Sequence, residues 1–274
     1  MLKKLLTQSF LTRTISGIAL VVIIAAMLIL GGDILLGFLG VVSLIGLFEL
    51  YRIWGIHKGA MPGVLGYLAA IAYFVMMYLR LEAHFLMLVL ILLILLMGVY
   101  VLSFPKYKID TIIVVLFGFF YVVVMLSCIY RIRQLDAGIY LVWMVFICSW
   151  ISDTCAYLVG VTMGKHKFVP NLSPKKTIEG VIGGIVGAML IGALYGYICR
   201  DYMNIVSPAI VCAIIGAVGS VVSQIGDLAA SAIKRNHDIK DYGKLIPGHG
   251  GILDRFDSVI FVAPIIFYLC TFIL

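Results

Sequence analysis

At 274 residues, 64% of them hydrophobic and 12% charged, with a mean hydropathy of +1.17, this chain is too apolar for a soluble globular domain. Its formal net charge of +7 comes without a basic tail or an aromatic stacking platform, so loop topology and attraction to anionic lipid account for it, and nucleic-acid binding is not implied. The six cysteines, Cys128, Cys148, Cys155, Cys199, Cys212 and Cys270, fall within apolar runs without metal-ligand spacing and read as reduced packing residues.

The apolar runs are roughly 20 residues long, the length at which a helix crosses a ~30 Å hydrocarbon core with its backbone hydrogen bonds satisfied internally. They predict an all-α polytopic integral membrane protein with nine transmembrane helices, at 14–32, 34–51, 62–79, 85–103, 110–130, 139–159, 180–199, 209–231 and 256–274. A barrel would need alternating strands instead. The first run follows MLKKLLTQSFLTRT and, with no small-residue cleavage site closing it, reads as a retained anchor. Spans one to five carry few intramembrane charges, so 1–138 reads as a transmembrane scaffold; Glu49, beside Arg52 at a span end, reads as an interfacial ion pair. The region 139–274 reads as the catalytic part. Its seventh span, GVIGGIVGAMLIGALYGYI, places Gly180, Gly183, Gly184, Gly187, Gly192 and Gly196 at the small-xxx-small spacing of closely packed helices. That packing would bring the acid-bearing helices together.

Lysine and arginine set the orientation. With nine spans the loops alternate, and one set holds 16 of the 20 basic residues, including Lys3, Lys4, Lys58, Lys175 and Lys234, while the other holds only Arg80, Arg131, Arg133 and Arg200. The positive-inside rule then puts the N-terminus and the loops 160–180 and 232–255 in the cytoplasm, and the C-terminus outside. The expected location is the cell (inner) membrane, with the active site facing the cytoplasm.

The residues that could carry chemistry lie in the second half. Asp227 sits deep in the apolar run VVSQIGDLAASAI, where an ionised carboxylate costs ~2.5–3.5 kcal/mol on insertion scales. A divalent cation is the preferred compensation; a salt bridge or a protonated acid would also serve. Ser223 and Ser231 lie four residues to either side, on the same helical face. Asp254 and Asp257, three apart at the start of span nine, project from one helix face and suit Mg²⁺, although first-turn acids also complement a helix dipole. Asp153, in CSWISDTCAYLVG, could bind metal or hold a lysine of the next loop. His249 in PGHGG could contact phosphate where glycines let backbone N–H groups approach an anion, or simply bond within its loop; zinc lacks partner ligands at suitable spacing. Lys175 and Lys176 in SPKKTIEG are either plain loop charges or a phosphate site formed by a Ser-Pro turn before a helix start.

The window from Ser231 to Asp257, SAIKRNHDIKDYGKLIPGHGGILDRFD, resembles the signature of the phosphatidate cytidylyltransferases, also called CDP-diacylglycerol synthases. The matching residues are Ser231, Lys234-Arg235, Lys240-Asp241, Gly243, Ile246-Pro247, His249-Gly250-Gly251, and Asp254-Arg255 with Asp257. The resemblance extends upstream through SDTCAYLVG and SPKKTIEG and covers roughly the C-terminal half. It implies transfer of CMP from CTP to phosphatidate, giving CDP-diacylglycerol and pyrophosphate in phospholipid biosynthesis. On that reading Lys234, Arg235, Lys240, His249 and Arg255 neutralise substrate and departing pyrophosphate. Ser173, Lys175, Lys176, Ser231, Lys244, Gly250 and Gly251 bind substrate, and Asp227, Asp254, Asp257 and Asp153 hold Mg²⁺ or another divalent cation. The implied partners are CTP, phosphatidate and the bilayer, with a homodimer left open. A secondary transporter would also carry intramembrane acids but has no need of a long cationic loop ending in DRFD. A CTP-dependent polyprenol kinase would share the nucleotide chemistry and release CDP instead of pyrophosphate.

Overall fold

The computed structural model describes residues 2–57 and 59–273, with side chains from Thr12 to Phe272. Lys58 and the side chains of Lys3 and Lys4, counted above among the loop charges, lie outside the described residues. The helices are α1 (Leu2–Leu30), α2 (Gly32–Ile53), α3 (Met61–Tyr78), α4 (Phe85–Leu102), α5 (Ile109–Arg133), α6 (Gly138–Met163), α7 (Ile178–Ile198), α8 (Pro208–Asn236) and α9 (Leu253–Ile273). Among the described residues, nine are long and apolar enough to cross a membrane, so the all-α polytopic architecture stands and every span falls within a few residues of its expected place. A short antiparallel hairpin, β1 (Lys167–Val169) with β2 (Ser173–Thr177), joins α6 to α7.

Two loop boundaries differ from expectation. α8 continues to Asn236, five residues past the apolar run, because Lys234 and Arg235 in its last turn complement the C-terminal end of the helix dipole. α9 begins at Leu253, so the polar loop is confined to 237–252. The expected Ser-Pro turn before Lys175 is instead β2, paired Lys167↔Thr177 and Val169↔Ser173. Pro174 is tolerated there because a two-stranded hairpin is all edge, where a missing N–H leaves no ladder partner stranded.

The chain forms two compact units. The first comprises 1–127 together with Asp241–Asp254. Its core is built on aromatic rings: Tyr73 meets Phe85 edge-on at 5.1 Å and Phe119 at 5.9 Å, and its hydroxyl reaches Ser127 Oγ at 2.7 Å, so the one polar atom on the ring is satisfied. Only about a tenth of the Thr12–Leu30 part of α1 and of α4 is buried, which leaves rows of Ile, Val and Leu for the acyl chains.

The second unit comprises 128–240 with Arg255–Leu274. Here α7 packs between α6 and α8, and its glycines explain how. A Cβ on Gly184 would stand 3.0 Å from Ser152 O, and one on Gly187 2.5 Å from Cys155 Sγ, both on α6; one on Gly192 would stand 2.6 Å from Cys212 O on α8. Bare backbone on two faces therefore draws the helices carrying Asp153 and Asp227 against the same neighbour. The helical winding loosens to a π-type turn over Ile147–Ile151, just before Ser152 and Asp153. Ser152 Oγ then bonds Ser220 Oγ at 2.5 Å, linking α6 to α8 in the buried interior.

Candidate active site

The second unit contains a cavity of about 570 Å³ walled by α6, the hairpin, α7 and α8. Its polar lining includes Asp153, Lys167, Lys175, Lys176, Thr177, Gln224 and Asp227, set among Tyr157, Val161 and Val181. The hairpin delivers all three lysines, because pairing Lys167 with Thr177 folds the two basic strands onto one another. Thr177 ends β2 and caps α7, its Oγ1 accepting from Gly180 N at 3.2 Å. Glu179, in the first turn of α7, turns back to accept from Lys165 N at 3.1 Å and to pair with His166 Nδ1 at 2.6 Å. Of the first N–H groups of α7, Gly180 N is thus taken by Thr177, and Ile178 N bonds His166 O at 2.9 Å. Lys175 and Lys176 nonetheless line the cavity as cations.

Asp227 forms an ion pair with Lys176, Nζ to Oδ2 at 2.5 Å, and both side chains are less than a third exposed. That is the compensation an acid in an apolar helix requires. Asp257 lies 3.9 Å from Lys234 Nζ and accepts from Ser258 N at 2.8 Å. Asp153, Asp227 and Asp257 lie within electrostatic range of one another, and Asp153 also of Lys176 and Arg255. Ser223, one turn from Asp227 on the same face, is fully buried with a hydroxyl that makes no hydrogen bond among the described residues. Ser231, Lys234 and Arg235 continue along α8, with Arg235 and, beyond the helix, Lys240 exposed. Ser173 opens β2 and does not line the cavity.

The remaining signature residues belong to the first unit. The turn 246–250 closes on itself, Ile246 N bonding Gly250 O at 2.9 Å and His249 N bonding Ile246 O at 2.9 Å. Asp254 is buried, and its Oδ2 accepts from Tyr242 N at 2.7 Å and Gly251 N at 2.9 Å, so this carboxylate ties the loop's two ends together. Gly250 has φ +83, and a Cβ there would lie 2.8 Å from Asp254 Oδ2. Lys244 is exposed.

Glu49 does something the local sequence did not announce. It is buried on α2, and its two carboxylate oxygens accept from Ile252 N at 3.0 Å and Leu253 N at 2.9 Å, where α9 begins. A side chain on Gly243 or Gly251 would collide with that carboxylate. Arg52, one turn further on, donates from Nη2 to Tyr242 O. The pair read as an interfacial salt bridge therefore reaches the signature loop from 200 residues away. The clue was a carboxylate inside an apolar span. Lys167, Gln224 and Tyr157 were also missed as lining residues. Gln224 Nε2 donates to Val181 O at 3.1 Å, so it pins α8 to α7 at the cavity wall.

Three lysines and two acids at the edge of an apolar cavity suit a polyanion accompanied by a cation. Among the described residues no three His, Cys, Asp or Glu side chains converge closely enough to cage a metal by themselves. An Mg²⁺ ion commonly takes one or two carboxylates and fills its octahedron with water and substrate phosphate.

A profile of the Cytidylyltransferase family matches residues 11–273. The chain is 42% identical over 140 residues, 51% of each chain, to the phosphatidate cytidylyltransferase of Bacillus subtilis (strain 168). It is 32% identical over 259 residues to that of Staphylococcus aureus (strain COL), covering 93% of this chain and 96% of the other. With the enzyme of the same name from Staphylococcus haemolyticus (strain JCSC1435) the identity is 33% over 261 residues, with the same coverage. Because the match runs through all nine spans and is not confined to the signature window, the whole chain belongs to the cytidylyltransferase family, as a membrane-embedded nucleotidyltransferase.

Proposed function

We propose that the protein transfers CMP from CTP to phosphatidate, forming CDP-diacylglycerol and pyrophosphate at the cytoplasmic face of the cell membrane. The observation that carries this is the cavity between the helices and the hairpin in which Lys167, Lys175 and Lys176 meet Asp153 and Asp227. A phosphatidate phosphomonoester has a second pKa near ~6 and is already an anionic nucleophile at pH 7. One of its oxygens attacks the α-phosphorus of CTP in line, the α–β bridging bond breaks, and its electrons leave with pyrophosphate. The cavity lysines neutralise the triphosphate, and the apolar wall of Tyr157, Val161 and Val181 excludes competing water. Lys176 exchanges its partner as substrate binds, leaving Asp227 for a phosphate. Lys234, Arg235, Lys240 and Arg255 add positive charge along the departing pyrophosphate's path.

Asp153, Asp227 and Asp257 would hold Mg²⁺, which supplies charge neutralisation across the phosphoryl oxygens. The chemistry of the donors fits, since hard carboxylate oxygens suit Mg²⁺ and one or two of them suffice when water and substrate phosphate complete its shell, with the buried hydroxyl of Ser223 one turn from Asp227. Asp254 serves through the loop it closes. The decisive experiment incubates purified protein with α-³²P-CTP and phosphatidate. Label should move into lipid and unlabelled pyrophosphate should be released; label remaining in nucleotide would overturn the reaction.

A further inference from the structure

Gln224 lies on α8 three residues before Asp227, on the same face, and lines the same cavity of the second unit. It is only 5% exposed, and its one hydrogen bond among the described residues runs from Nε2 to Val181 O at 3.1 Å. A backbone carbonyl can only accept. The amide is therefore held one way round, with its nitrogen toward α7 and its oxygen left for another partner. That Oε1 makes no hydrogen bond among the described residues, yet it is not sealed in the interior as the hydroxyl of Ser223 is, so it opens on the cavity. A side chain this deeply buried with an unpaired acceptor facing a cavity is one that a ligand completes.

The charges of the cavity indicate which part of a nucleotide reaches it. Lys167, Lys175 and Lys176 come from the hairpin that leads into α7, and Val181 lies one turn into that helix. α8 repeats the order: Asp227 meets Lys176 at the hairpin end, and Gln224 follows one turn further from it. From the hairpin inward the lining thus passes from cations to an acid to a fixed amide beside Val181. A nucleoside triphosphate has the same sequence of parts, its β- and γ-phosphates, its α-phosphate and then a base with a hydrogen-bonding edge. Cytosine presents a donor there, the 4-amino group, where uracil presents the acceptor O4. An amide free to turn over would read either base. One locked by Val181 O meets cytosine with its oxygen and sets uracil acceptor against acceptor.

We infer that Gln224 selects the cytosine base, Oε1 accepting from the 4-amino group while Val181 O keeps the amide from turning over. The inference rests on the CTP reading above and names the part of that substrate this side chain touches.

The test sets CTP, UTP and the 4-deamino analogue of CTP in competition for the full chain in mixed micelles with phosphatidate, read as ratios of kcat/KM so that any loss of folded protein cancels. Wild type should prefer CTP to each of the others by at least about tenfold, the scale of leaving one buried polar group unpaired. Gln224→Met keeps the length of the side chain and removes the amide; both preferences should fall to near one while the KM for phosphatidate stays in place. Gln224→Glu has the same shape but gives up the donor that Val181 O holds, and with it the fixed orientation. Its preference for CTP over UTP should fall as well, which keeps the test decisive should the methionine variant not fold. Preferences unchanged in the variants would hand Oε1 to another donor, an equal loss with all three nucleotides would reduce Gln224 to a pin between α7 and α8, and a rise in the KM for phosphatidate alone would give this part of the cavity to the lipid; each outcome overturns the inference. Failure of wild-type label transfer from CTP would instead refute the reaction.

Discussion

Removing the charge from Asp227 leaves the Lys176 ammonium without its partner and the cavity without an acid. Asp227→Asn and Asp257→Asn should each cut turnover by ~10²-fold, the usual scale for one key electrostatic contact, and raise the Mg²⁺ concentration needed for half-activity. Asp254→Asn should behave differently, because its oxygen already accepts from Tyr242 N and Gly251 N: activity falls as the loop loosens, while the Mg²⁺ half-point stays. An Mg²⁺ titration of the three variants checks both statements, and an unmoved half-point in Asp227→Asn and Asp257→Asn would remove the metal assignment. Glu49→Gln replaces one acceptor by a donor facing a backbone N–H, a loss of ~1–3 kcal/mol for a buried unsatisfied group. Hydrogen exchange at Ile252 and Leu253 should accelerate; unchanged protection would mean that the cap is dispensable.

For the helices, the glycines of α7 make a graded prediction. Gly187→Val forces a branched side chain into Cys155, and overpacking of this kind costs ~1–3 kcal/mol. The thermal midpoint of the detergent-purified protein should fall. Gly98→Ala on α4 meets nothing within 4 Å and should leave that midpoint unchanged or slightly higher, since alanine is the better helix former. Equal behaviour of the two would show that α7 packs less tightly than its backbone contacts indicate. The spans themselves were legible because hydropathy over roughly 20 residues is a strong local signal. The hairpin was not, since a three-residue strand paired with a five-residue one is too short to show a period, and the SPKKT run reads equally well as a turn. Asp227 could be singled out from sequence because an acid deep in an apolar helix is costly by itself. Its partner Lys176 could only be guessed, since the pair spans 51 positions of chain.

At the level of the whole molecule, the uneven distribution of lysine and arginine predicts that residue 244 and the 160–180 loop are labelled only from the cytoplasmic side, with the C-terminus outside. Single cysteines placed in a cysteine-free background and probed in sealed cells would test it, and external labelling at 244 would reverse the orientation. The long-range contacts were beyond sequence reading for a physical reason: Ser16 meets His249 across 233 positions and Glu49 meets Leu253 across 204, and neither leaves a local pattern. Glu49 has a further consequence. Its carboxylate fills the space that a side chain on Gly243 or Gly251 would need, so the glycines of the signature fit an acid encoded far upstream. The 27-residue window is therefore not a portable cassette. Grafted into an unrelated membrane scaffold it would bring its donors and glycines without the residue they were shaped around, and only a transplant that includes α2 would refold the motif.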